Sequence, residues 1–300
     1  MGAAHPTPDP SVASRRLKLA FGLCLAYMTV ELVGGFLANS LALLADAGHM
    51  LADAGSIGLA LFAARLSLRP PSKKLTYGYH RAEILAATLN AATLLAVGLS
   101  ILVEAFRRLA HPPQVASGVM LAVAVPGLVV NLAMAAVLHG GGQKNLNVRA
   151  AFFHVLTDTL GSVQVILAAL AMMWFGWAWA DPVASMLLSG LVMFSGYRVL
   201  RETVFILMEG TPAQIDLDQL RQSLLAVEGV VGVHDLHVWL IASDFVAASV
   251  HLEVSDSADD SLLWQVRKLL AEKFDIHHST VQLERRPSPR TNLLPVYPKS

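Results

Sequence analysis

The sequence predicts an α-helical membrane protein of six transmembrane helices, followed by a small cytoplasmic α+β domain in the order αββαβ. Three observations predict this. Of the 300 residues, 55% are hydrophobic and only 15% charged, a balance foreign to soluble domains. Six apolar runs each approach the roughly 20 residues that a helix needs to cross ~30 Å of hydrocarbon. After Gly210-Thr211-Pro212 the texture changes to short amphipathic and alternating segments.

The elements follow in order. Residues 1–17 read as an N-terminal cytoplasmic tail, 18–210 as the six-helix transmembrane domain, 211–286 as the cytoplasmic domain and 287–300 as a loose tail. The spans fall near 18–38, 42–65, 82–104, 116–138, 148–174 and 181–200. The first is long enough to cross and lacks a small-residue cleavage site, so it reads as a helix and not as a removed signal. Pro126-Gly127 lies in the fourth span, a position membrane helices tolerate because neighbours satisfy the freed backbone. The fifth ends in Trp174-Phe175-Gly176-Trp177-Ala178-Trp179, an aromatic belt of the kind found at headgroup depth.

Within the tail domain, 213–228 has helical spacing, 230–241 and 245–254 read as strands, 259–274 as a second helix and 279–284 as a last strand. In the second strand Val246, Ala248, Val250 and Leu252 alternate, which marks one buried face. So short a domain leaves a face for a second copy to cover.

Basic residues set the orientation. Arg15, Arg16, Lys18, Arg65, Arg69, Lys73, Lys74, Arg81, Lys144, Arg149, Arg198 and Arg201 all fall on one side of a six-span chain. The other side carries Arg107 and Arg108. The positive-inside bias puts both termini in the cytoplasm. The 22 basic and 22 acidic residues cancel, which gives no reason to expect nucleic acid as a partner. The single cysteine, Cys24, sits in an apolar run and reads as a packing residue. No Walker A, nucleophile elbow or H-E-x-x-H pattern occurs, so neither an ATP motor nor a familiar metallohydrolase is supported.

The chemistry lies in two copies of one pattern inside apolar runs. His49-Met50-Leu51-Ala52-Asp53 and His154-Val155-Leu156-Thr157-Asp158 both read His-x-x-x-Asp. Residues i and i+4 share a helix face, so each pair aims a nitrogen and a carboxylate the same way. Ionisable groups at membrane depth are costly and mark ion paths. Two facing pairs make a four-ligand set suited to a zinc-like ion. The same groups bind protons, so metal and proton displace each other.

Asp46, one turn before His49, either orients that imidazole or caps the start of the span. Glu31 reads as a further group lining the cavity, and Glu104 as an interface residue beside Arg107 and Arg108. His80 reads either as part of a second metal site or as a polar helix start. In the tail domain His234, His237, His251, His277 and His278 cluster with Asp235, Glu253 and Glu284, a composition expected of a regulatory metal site.

The stretches NSLALLADAGHMLADAGSIGLAL, LTYGYHRAEILAATLN, FFHVLTDTLGSV, ILMEGTP, VHDLHVWLI and HHSTVQLE resemble the cation diffusion facilitator family, in its zinc-transporter and bacterial zinc/cadmium/cobalt-resistance branch. They run in the family's order from about residue 35 to 284. The resemblance implies a homodimer of six-helix protomers in the lipid bilayer, each with a metallochaperone-like cytoplasmic domain. It also implies proton-coupled export of divalent metal ions across the plasma (inner) membrane, with no catalytic turnover.

By that resemblance His49, Asp53, His154 and Asp158 form the transport site. The His-Asp pair in span two resembles zinc-selective members, and nitrogen donors favour zinc over harder ions. Cadmium or cobalt, or iron or manganese, are the alternative cargoes. A membrane-anchored zinc sensor is the alternative from another class. His234, His251 and Glu284 match the family's cytoplasmic site, with His277 as fourth ligand and Zn²⁺ as the regulatory ion. Gln282 and Glu284 stand where some relatives carry His and Asp. The loop site of some relatives is not reproduced at Ser72, Leu75 and Tyr79, and His80 is the substitute. Arg81 and Glu209 match a charge interlock between spans and soluble domain.

Overall fold

The computed structural model describes residues 10–139, 146–242, 245–256, 258 and 261–285. Six long helices come first: α1 (Pro10–Ala38), α2 (Leu41–Ser67), α3 (Ala82–Ala110), α4 (Ser117–His139), α5 (Leu146–Phe175) and α6 (Ala180–Leu207). Four have described stretches long and apolar enough to cross a membrane: Ala82–Ala110, Ser117–Ala136, Val155–Phe175 and Ala180–Leu207. The other two helices contribute shorter apolar stretches, Gly22–Ala38 and Leu41–Ala52. The expectation of six spans therefore meets six helices, four of which reach span length by apolarity within the described residues.

The chain divides into two compact units. The first comprises residues 1–61 and 89–200. In it α4 packs on both α1 and α5 over a core that includes Leu43, Met120, Ala124, Val165 and Ala169. Small residues let these backbones approach, as membrane helices require. Gly34 lies against Val123, and a methyl group added at Gly127 would strike the ring of Tyr27. The Tyr27 hydroxyl donates to the Val123 carbonyl at 2.6 Å, one turn from Pro126, whose ring lacks the N–H of a regular helix. Much of the unit's apolar surface stays uncovered, with Leu89, Val129, Leu160, Leu187 and Phe194 all well exposed. On a soluble protein such a surface would aggregate; in lipid it is solvated. After α5, Phe175, Trp177 and Trp179 pack side by side, with successive ring centroids 5.1 and 5.0 Å apart.

The second unit comprises residues 62–88 and 201–300. It takes in the end of α2, the α2–α3 connection, the start of α3 and the end of α6. Its elements are α7 (Leu217–Leu225), β1 (Val230–Ala242), β2 (Phe245–Val254), α8 (Ser261–Phe274) and β3 (His278–Glu284). This is the αββαβ order read from the sequence. Helix α7 is shorter than expected because Asp216 caps it, accepting the N–H groups of Asp218 and Gln219. The sheet order is β1-β2-β3, antiparallel between the first pair and parallel between the second.

Ala248, Val250, Leu252 and Val254 of β2 point into a core with Leu220 and Leu224 of α7 and Leu262, Val266 and Leu270 of α8. Each such leucine or valine contributes about 1.5–3 kcal/mol by leaving water. The alternate residues His251 and Glu253 of β2 lie on the opposite face. Register pairs them with His234 of β1 and with Gln282 and Glu284 of β3. Period-two geometry therefore gathers the polar ligands on the face away from the helices.

Candidate metal sites

The first site lies where α2 meets α5. His49 Nε2 and Asp158 Oδ1 face each other at 3.9 Å, with the side chains 16% and 4% exposed. Asp53 follows His49 by one turn on α2, and His154 precedes Asp158 by one turn on α5. The side chains of Asp53 and His154 lie outside the described residues. Helical periodicity sets each beside its partner's face.

Asp46 is 3% exposed, and its Oδ1 would lie 3.4 Å from a Cβ added at Gly161 of α5. It does not cap α2. That task falls to Ser40, whose Oγ accepts the Leu43 N–H at 3.2 Å. Asp46 instead stands beside Glu31 of α1, with Tyr27 next to Glu31. Glu31 and Tyr27 are both buried, so a row of polar side chains from α1 and α2 runs beside the His49–Asp158 pair.

A group that sequence reasoning missed ties α1, α2, α3 and α6 together. Asp181, fully buried in the first turn of α6, accepts from the Ser40 hydroxyl at 2.6 Å, the Leu41 N–H at 2.9 Å and the Ala42 N–H at 3.2 Å. Arg108 of α3 lies 4.0 Å from the same carboxylate and donates to the Asn39 carbonyl at 2.7 Å. Asn39 turns the chain with φ 53°, a conformation asparagine tolerates well. Arg108, which runs against the positive-inside bias, thus serves the turn between α1 and α2. The one sequence signal was the Asn39-Ser40 pair ahead of an apolar run.

The second site spans three strands. His234, His251 and Glu284 offer ligand atoms that all lie within 4.8 Å of one another. His234 Nε2 is 3.0 Å from Glu284 Oε2, and His251 Nδ1 is 3.0 Å from Glu284 Oε1. The two rings meet edge to face at 5.2 Å. Burial pushes the Glu284 carboxyl up, but hydrogen bonds and charge from His234, a hydrogen bond from Gln282 and the charge of His251 outweigh it. The net effect holds the carboxyl below its ordinary value. Two imidazoles and one ionised carboxylate match the N/O donors that zinc takes, with a position left open. It is the one such ligand group among the described residues.

Four expected residues stand outside this ligand group. His277 is bonded to Asp275 at 2.9 Å, is 73% exposed and does not join His234, His251 and Glu284. Residues 275–277 connect α8 to β3 and precede the ladder, so strand register does not bring His277 to the ligand face. His80 packs edge-on against Phe245 at 5.4 Å, and Phe245 likewise against His278 at 5.6 Å. Arg81 and Glu209 form an ion pair of 2.9 Å at the surface.

A buried imidazole–carboxylate pair between two helices of an apolar bundle is the arrangement of a membrane protein that handles cations. The chain belongs to the cation efflux, or cation diffusion facilitator, family. The family's "Cation efflux transmembrane domain" matches residues 17–208, and its "Cation efflux protein, cytoplasmic domain" matches residues 212–286. Among curated relatives, the cadmium, cobalt and zinc/H(+)-K(+) antiporter of Bacillus subtilis is 43% identical over 94% of this chain and 93% of its own. The zinc transporter ZitB of Escherichia coli is 44% identical, with 91% and 88% covered. The metal cation efflux system protein CzcD of Cupriavidus metallidurans is 41% identical, with 96% and 92% covered. The solved metal-bound C-terminal domain of that CzcD is 37% identical, covering 23% of this chain and 99% of its own, with a TM-score of 0.22.

Proposed function

We propose that the protein exports divalent metal from the cytoplasm in exchange for protons, with Zn²⁺ as the principal cargo. The observation that carries this reading is the buried apposition of His49 and Asp158 across α2 and α5. Asp53 and His154 complete the ligand set from the adjoining turns. Facing inward, the four groups lose protons as they take the metal; facing outward, protons return and release it. A fixed site with helices rocking about it is the general logic of secondary transport. The Escherichia coli relative is a zinc transporter, which supports zinc first, and the Bacillus antiporter's cadmium and cobalt support these as further cargoes.

The protein acts as a homodimer in the plasma (inner) membrane, with both termini cytoplasmic and no catalytic turnover. Residues 18–210 carry the cargo and 211–286 respond to metal. His234, His251 and Glu284 form the regulatory centre, where a bound metal would screen the ionised Glu284 and join three strands. Arg81–Glu209 serves as an interlock within the second unit, and His80 anchors the α2–α3 connection through Phe245. Asp46 acts as a neighbour of the cargo site rather than a ligand.

Zinc-driven proton flux in proteoliposomes tests the transport reading. Flux is expected in the wild type and absent in Asp53→Ala and Asp158→Ala. Undiminished flux in both variants sinks the site assignment.

A further inference from the structure

We propose that Asp235 is a positioning residue for the cytoplasmic metal centre, holding the far side of the His251 ring. The inference rests on the reading of His234, His251 and Glu284 as that centre.

The sequence runs His234-Asp235-Leu236-His237 along β1. In a regular strand residues three apart face opposite sides. Here His234 pairs with His251 while His237 pairs with Ser249, so β1 carries one extra residue at this point. A bulge of this kind re-aims side chains, and bulges gather near functional sites. Ser249 and His251 share a face of β2, so the extra residue brings His237 to the same face as His234. Leu236 meanwhile turns into the core at 7% exposure.

Asp235 sits within the bulge at φ 51°. Side chains with a Cβ seldom adopt this left-handed conformation, although aspartate does so more readily than most. An outlier of this sort is grounds for seeking a function at the position. Its carboxylate has two neighbours. Oδ1 lies 3.0 Å from His237 Nε2, and Oδ2 lies 3.6 Å from His251 Nε2. The second separation is longer than a hydrogen bond, and a small rotation of Asp235 closes it.

The imidazole of His251 has two nitrogens that diverge. Nδ1 faces Glu284 at 3.0 Å, on the side of the ligand group. Nε2 faces Asp235 and cannot reach the same ion. A metal held by Nδ1 leaves the proton on Nε2, and a carboxylate that accepts a hydrogen bond from this N–H fixes the ring and raises its basicity. Outer carboxylates of this type govern metal affinity about 10–100-fold. His237 holds the other carboxylate oxygen and so steadies Asp235.

The test is zinc affinity of the full chain in detergent, by competition with a chromophoric chelator. Asp158→Ala is present throughout to remove the transport site. Asp235→Gly relieves the left-handed backbone while deleting the carboxylate. Its metal-free thermal midpoint should equal or exceed that of the parent, whereas zinc affinity falls about 10–100-fold. Zinc affinity equal to the parent's overturns the proposal. If Asp235→Gly lowers the metal-free midpoint, Asp235→Asn decides, since asparagine keeps the backbone preference and loses the charge. Severalfold weaker binding then sustains the proposal, and unchanged binding overturns it. His234→Ala and Glu284→Gln serve as controls. If neither weakens binding, the reading of the metal centre fails; if both do and Asp235→Gly does not, only the positioning role fails.

Discussion

Asp181 accepts the hydroxyl of Ser40 at 2.6 Å, so the first turn of α6 caps the first turn of α2. The carboxylate also takes two backbone N–H groups there, donors that a helix N-terminus otherwise leaves unmatched. Negative charge is favourable at that end of the helix. The cap fixes the start of α2 two to three turns ahead of His49 and Asp53.

Removing that carboxylate should therefore destabilise the membrane unit. Asp181→Ala strands two buried donors and the nearby Arg108, at a cost of about 3–5 kcal/mol. Asp181→Asn keeps an acceptor and should lose less. Thermal unfolding in detergent ranks the two variants, and equal midpoints for wild type and Asp181→Ala would contradict the cap.

Zinc binding at the transport site should weaken as pH falls, because each ligand must shed its proton to bind metal. His49→Ala should remove both the binding and its pH dependence at that site. Calorimetric titration across a pH series, with His234→Ala present to silence the cytoplasmic centre, measures this. A pH-independent affinity would argue against proton exchange at these groups.

The close passage of α1 and α4 leaves no room at Gly127. Gly127→Ala drives a methyl group into the Tyr27 ring, and overpacking of this kind costs about 1–3 kcal/mol. Gly118→Ala, with open space around it, is the matched control. A stability loss shared equally by the two would point to general helix effects rather than the Tyr27 contact.

Glu284 links acid stability to the ligand face. Its folded carboxyl lies below its ordinary value of 4.5. The unfolded chain therefore binds this proton first, and the ionised group stabilises the fold above that ordinary value. The stabilisation disappears as pH falls through the lower folded value. Metal-free wild type should be more stable than Glu284→Gln at neutral pH, with the gap narrowing under acid. Thermal melts with chelator present follow the gap; a gap that widens toward low pH would reverse the sign.

Much of the site was legible in the sequence because it is local. His49 and Asp53, or His154 and Asp158, share a face by helical period alone, and burial in apolar runs made their charge conspicuous. His234 and His251 were legible as residues of two successive strands, and the register then pairs them. The place of His277 was not legible, because proximity in sequence to β3 is not register: it lies before the ladder and pairs with Asp275. Asp235 was legible as a member of the His-rich cluster, but its place beside His251 was not, since a bulge is invisible to a period-two pattern.

By itself the sequence determined the class, since composition and apolar run length decide whether a chain dissolves in water or lipid. It also determined the αββαβ order and the residue types able to hold a metal. Only the tertiary structure decided which of them meet. The Asp181–Ser40 cap joins residues 141 apart, Glu31 and Asp46 stand side by side from two helices, and the left-handed Asp235 faces His251 across a bulge. Contacts of that range depend on packing and register, which no local periodicity encodes.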